Sequence, residues 1–112
     1  MALDPRTPIL VGAGTAMQRF DDPLDGVDVI ELMAAAVRNA AGDSGSRSLL
    51  DRVGLVLSMK GMWPYADPGG LVAARVGVRD AHTVTVAPGV IQTSVFARAL
   101  DDLRRVHMAR CW

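Results

Sequence analysis

An α/β fold with a mainly parallel or mixed sheet is what this sequence predicts, on three observations. Apolar patterning switches between a short run and a helical repeat three times along the 112 residues, the alternation expected of β-α units. Glycine, proline or aspartate punctuates each switch, as turns and helix ends require. The sharpest switch is at His82-Thr-Val-Thr-Val-Ala-Pro-Gly-Val-Ile-Gln-Thr-Ser-Val, where a strand-like run breaks at Pro88-Gly89 and restarts as an amphipathic helix. Such a turn aims its residues at the positive end of the helix dipole, the usual place for a nucleophile or an anion.

The first unit opens after Pro8 with Ile9-Leu10-Val11, read as a buried strand that leaves through Gly12-Ala13-Gly14 into a polar loop ending at Asp21-Asp22-Pro23. Asp28 with Glu31 three residues on makes an acidic variant of the capping box. Ile30, Met33, Ala34, Val37 and Ala41 then share one helical face. Gly42 or Gly45 is the expected stop, and the Gly- and Ser-rich loop over 42–48 is the most flexible stretch expected. The second unit begins with Val53-Gly-Leu-Val-Leu-Ser58, whose unbroken apolar character suggests a strand buried on both faces. Asp67-Pro68 starts a short helix, aspartate capping and proline taking the first position, and Gly77 stops it. In the third unit Ile91, Val95, Ala99, Leu103 and Val106 line one face of the last helix, with Arg98–Asp102 and Asp101–Arg105 pairs opposite.

Composition narrows the function. The chain is one domain long, and half of it is apolar, enough to fold. Twelve basic and twelve acidic side chains cancel with no basic run, which argues against a nucleic-acid surface and leaves small molecules or proteins as partners. The one cysteine, Cys111, points to a reducing compartment. The acid- and proline-containing N-terminus does not read as a signal peptide, and no apolar run nears the roughly 18 residues of a membrane span. A cytoplasmic protein is expected.

Four features could carry chemistry. Gly12-Ala-Gly14 after a strand opens a dinucleotide fingerprint, but Met17 stands where the third glycine belongs and no helix follows directly. The plainer reading is that small residues let the chain leave the strand. Trp63-Pro64-Tyr65 could cover a ligand, although a hydrophobic plug over the sheet end is favoured. His82 and His107 fall on different elements without metal-ligand spacing, so no metal is expected. In Val90-Ile-Gln-Thr-Ser-Val95 a hydroxyl could be a nucleophile, yet no base is near in sequence, and Thr93 or Ser94 as a helix cap is favoured.

Pro8-Ile-Leu-Val-Gly-Ala-Gly14, the Asp21-Asp-Pro-Leu-Asp25 loop, Glu31-Leu-Met-Ala-Ala-Ala-Val-Arg, Leu49-Leu-Asp-Arg-Val53 and Asp67-Pro-Gly-Gly-Leu71 occur in an order and spacing that resembles the amino-terminal part of the thiolase superfamily. The closest likeness is to actinobacterial acetyl-CoA acetyltransferase-like and sterol-carrier-type thiolases, over residues 7 to about 106. The resemblance implies one partial domain over 1–112, the βαβαβα start of a thiolase-like half-domain, apparently truncated. It implies a third helix beginning at a cysteine nucleophile that takes an acyl group from coenzyme A. That position falls near Thr93, with Ser94 as the alternative, and neither is cysteine. The histidine and second cysteine that thiolases bring from a carboxy-terminal half have no counterpart here. Three functions follow: an acyl-CoA acyltransferase fragment inactive alone, a non-catalytic thiolase-like subunit for acyl-CoA binding or assembly, or an independent small α/β binding domain. No tightly bound cofactor is expected. A coenzyme A thioester is the expected substrate, and a thiolase-like partner chain or a homo-oligomer the expected assembly.

Overall fold

Two parallel strands form the centre of the architecture, β1 (Leu55–Met59) and β2 (His82–Val86), joined through a helix, α2 (Pro68–Val76). Leu55 pairs with His82 and Met59 with Val86, and the ladder extends one bond beyond each end, His82 N–H to Gly54 O (2.9 Å) and Lys60 N–H to Val86 O (2.8 Å). The computed structural model describes residues 7–87, 89 and 92–106. Before the sheet comes α1 (Val29–Asp43), and after it α3 (Gln92–Val106). Short 3-10 helices at Pro23–Asp25 and Arg47–Arg52 complete the order. The α/β class and the parallel sheet are as the sequence predicts.

Both central helices start where their chemistry dictates. Asp28 accepts from Ile30 N–H (3.1 Å) at the start of α1, and Asp67 from Gly70 N–H (3.1 Å) at the start of α2, where Pro68 holds the first position and lacks the amide that would go unpaired. Gly45 (φ 81°) and Gly77 (φ 80°) follow the two helices in the left-handed conformation that suits a residue without a Cβ. The predicted face of α1 packs inward. Ile30 and Ala34 are fully buried with Val72 of α2, while Met33, Val37, Tyr65 and Val76 pack around them.

Parallel partners point to the same side of a sheet, so Val56, Ser58, Thr83 and Thr85 share one face with α2. Gly69 of α2 comes so near Val56 and Ser58 that a Cβ there would lie 3.1 Å from Ser58 Oγ. The opposite face, with Leu55 and Leu57, forms one wall of a groove whose other wall is α3. The closest packing joins β1 to β2, α1 to α2 and α2 to both strands; α3 is attached more loosely.

Four expectations need correction. Ile9-Leu10-Val11 is not a strand: the side chains are 67, 81 and 57 % exposed. The chain just after them is fastened to α1 instead, by Ala13 N–H to Asp43 Oδ2 (3.0 Å) and Asn39 Nδ2 to Thr15 O (2.9 Å). Glu31 does not complete a capping box, because its carboxylate turns to Arg75 of α2. The stretch over 42–48 is a bonded turn, in which Ser44 Oγ donates to Ala41 O (2.6 Å), leading into Arg47–Arg52. No residue of β1 is fully buried, since only one of its faces is closed by a helix.

Candidate functional site

β2 ends at Val86, α3 begins at Gln92, and Gly89 between them has φ 91°. Pro88, Val90 and Ile91 lie outside the described residues. Thr93 and Ser94 are exposed in the first turn of α3, where free amides and the helix dipole favour negative charge. Among the described residues neither hydroxyl has a hydrogen-bond partner to serve as its base. His82 stands at the opposite end of β2, four residues or roughly 13 Å of strand away from Val86, too far to take their proton. His107 and Cys111 fall outside the described residues.

The groove between α3 and the sheet is ≈ 590 Å³ and mostly apolar. Leu55 and Leu57 face Phe96, Ala99, Leu100 and Leu103 across it, Leu10 reaches it from the amino-terminal segment, and His82 and Asp102 supply polar atoms. Asp102 is engaged with Arg98 Nε at 3.1 Å, the four-residue pair expected on α3. Phe96 remains 64 % exposed.

A polar cluster occupies the other side of the sheet. Tyr65 Oη donates to Asp28 Oδ1 (2.8 Å) while its ring packs on the core, and Lys60 Nζ donates to Tyr65 O (2.7 Å). The phenol's hydrogen bond holds the Asp28 carboxyl below its ordinary value of 3.8, and the same bond raises Tyr65 above 10.0. Trp63 lies over Gly61, with its indole N–H buried and unpartnered. Of this segment, Tyr65 packs on the core and Trp63 on Gly61, while Pro64 is exposed. Sequence reasoning missed the Asp28–Tyr65 bond, whose partners are 37 residues apart and carry no local signal.

Gly12 and Gly14 have a packing role. A Cβ on Gly14 would run into Ala36 O and Ala40 N, and one on Gly12 into Ala40 O. Both abut the carboxy-terminal half of α1, where the dipole is negative and a pyrophosphate is disfavoured. Among the described residues no three His, Cys, Asp or Glu side chains are grouped to hold a metal ion, and no helix is long and apolar enough to cross a membrane.

Among solved structures the chain is similar to an SCP2-thiolase-like protein type 1 from Mycobacterium smegmatis, a protein described as monomeric, with a TM-score of 0.65 and 20 % identity over 91 % of this chain. That likeness is one of fold, and the matched region is 22 % of the other protein's length. No protein-family model matches the chain, and no curated protein matches it.

Proposed function

We propose that this chain is a segment of a thiolase-like acyl-CoA acyltransferase, of the acetyl-CoA acetyltransferase and sterol-carrier type, that binds a coenzyme A thioester without itself carrying the acyl group. The observation behind this reading is the first turn of α3: Thr93 and Ser94 stand there exposed, with no hydrogen-bonded base among the described residues, where the family resemblance expects the acyl-accepting cysteine. A neutral hydroxyl at pH 7 is a far weaker nucleophile than a thiolate, and activating it requires a proton acceptor within hydrogen-bond reach. Catalytic groups for transfer would come from a thiolase-like partner, and the cytoplasm, where acyl-CoA is abundant, is the compartment this reading implies.

The test is titration calorimetry with acetyl-CoA, followed by mass spectrometry of the same sample. The expected result is binding heat, unchanged in Thr93→Ala and Ser94→Ala, with no acyl adduct. An adduct mapped to Thr93 or Ser94, with release of free coenzyme A, would make the chain an acyltransferase in its own right. No heat at all would favour an independent binding domain of other specificity.

A further inference from the structure

Of the aspartates in this chain only Asp25 is followed by glycine, and the one asparagine, Asn39, precedes alanine. An aspartate side chain places its carboxyl carbon where the next residue's amide nitrogen can close a five-membered ring on it, and a glycine there brings no Cβ to obstruct the approach. Asp25 is exposed, and among the described residues no hydrogen bond or ion pair engages its carboxylate. Asp43, followed by Ser44, differs on both counts: its Oδ2 accepts from Ala13 N–H (3.0 Å), and Ser44 N–H is tied to Ala40 O (3.0 Å).

Two sets of bonds hold the Asp25–Gly26 peptide. In the 3-10 turn Pro23–Asp25, Asp25 N–H donates to Asp22 O (2.9 Å) and Gly26 N–H to Pro23 O at 3.3 Å, a bond longer than the usual range. Beyond the turn, the Gln18 side chain clamps both backbone groups of Val27: Nε2 donates to Val27 O (3.0 Å), and Oε1 accepts from Val27 N–H (2.7 Å). The next residue, Asp28, caps α1 and receives the Tyr65 phenol. The Gln18 clamp therefore stands between a reactive dipeptide and the start of the helix that carries Ile30.

We propose that Asp25–Gly26 is a site of spontaneous aspartate isomerisation, latched by Gln18. When the turn opens, the Gly26 nitrogen gives up its proton and attacks Asp25 Cγ; the Cγ–N bond forms, and one carboxyl oxygen leaves as water. The product is a cyclic imide. Water then adds at the former main-chain carbonyl carbon of Asp25 and breaks its bond to nitrogen, which leaves the chain running through Cγ and a free carboxylate on Cα. The water lost in the first step returns in the second, so the mass is unchanged and no co-reactant is needed. The main chain is now longer by one methylene, which moves Val27 off Gln18 and loosens the start of α1. The reaction is independent of acyl-CoA binding.

The test is to age the native chain, Gln18→Ala and Gly26→Ala at neutral pH and 37 °C, digest them with trypsin, and follow the peptide over 20–38 by chromatography with electron-transfer fragmentation. A synthetic peptide of the same residues sets the rate without the fold. The expected result is a species of equal mass, rearranged at Asp25, that forms slowly in the native chain and roughly tenfold faster in Gln18→Ala, as two exposed hydrogen bonds no longer oppose opening. Gln18→Glu, which keeps only the bond from Val27 N–H, falls between the two and gives the comparison should Gln18→Ala loosen the whole chain. Gly26→Ala stays unrearranged, and the purified isomer unfolds at a lower urea midpoint than the native chain. Equal rates in the native chain and both Gln18 variants overturn the proposal. So does rearrangement at Asp21, Asp22 or Asp28 in place of Asp25, an unchanged midpoint of the isomer, or no rearrangement in Gln18→Ala while the free peptide converts.

Discussion

Asp28 uses its two carboxylate oxygens for different purposes, Oδ2 capping Ile30 and Oδ1 receiving the Tyr65 phenol. Its pKa lies below the ordinary 3.8, so its contribution to stability is fully present above that value and is lost as pH falls through the lowered one. Tyr65 is shifted the other way, so its contribution is fully present below 10.0 and is lost as pH rises through the raised value. Melting temperatures of the native chain and Tyr65→Phe should therefore differ by a constant amount between pH 3.8 and 10.0 and converge outside that window. A difference that varies inside the window would mean another group sets it. The cap was legible in the sequence because it acts two residues away. The phenol was not, because only folding brings position 65 to position 28. Two glycines make an opposed pair at this same scale. Gly14→Ala forces a Cβ into the α1 backbone and should cost about 1–3 kcal/mol in urea unfolding. Gly42→Ala meets nothing within 4 Å inside α1 and should stabilise by about 0.5–1 kcal/mol.

At the scale of elements, the three helices and the strands β1 and β2 follow the sequence pattern because caps and apolar runs are local signals. The strand over residues 9–11 was misread because pairing is decided by what lies across the sheet. The α2 helix shows how much a nine-residue element depends on its ends. Asp67 and Pro68 fix its start, Gly77 its finish, and Arg75 reaches Glu31 while Arg38 Nη2 donates to Arg75 O at 3.1 Å. The Arg75–Glu31 pair is half exposed, so removing it should have little effect. Gly77→Ala, by contrast, places a Cβ at φ 80° and should lower stability by about 1 kcal/mol, read as a shift of the urea midpoint with unchanged slope. For Thr93 and Ser94 the sequence offered no neighbouring base, and the structure adds that His82 stands at the far end of β2.

At the scale of the molecule, the described residues hold a small core shared by α1 and α2, built on Ile30, Ala34 and Val72. Ile30→Ala should cost about 2–5 kcal/mol, comparable with the lower end of the roughly 5–15 kcal/mol that holds a domain together. Urea unfolding of that variant should lose its folded baseline at 25 °C; an intact sigmoidal transition would mean the α3 side contributes more than its loose packing suggests. Leu10, Phe96 and Leu100 leave that side apolar and open, the kind of patch that marks an interaction surface.

Asp67 is a junction between two elements. One oxygen caps α2 at Gly70, and the other accepts from Thr83 Oγ1 of β2 at 3.0 Å. Substitutions at 67 and 83 should therefore be epistatic: Thr83→Val removes one partner, and the cost of a subsequent Asp67→Ala shrinks because part of what it would break is already gone. That coupling is the same in either order. Asp67→Ala also loses the α2 cap, so a sequence drifting under selection for stability passes through the less destabilised intermediate when threonine changes first, and a single hydrogen bond between a loop and a strand weights the mutational paths open to both.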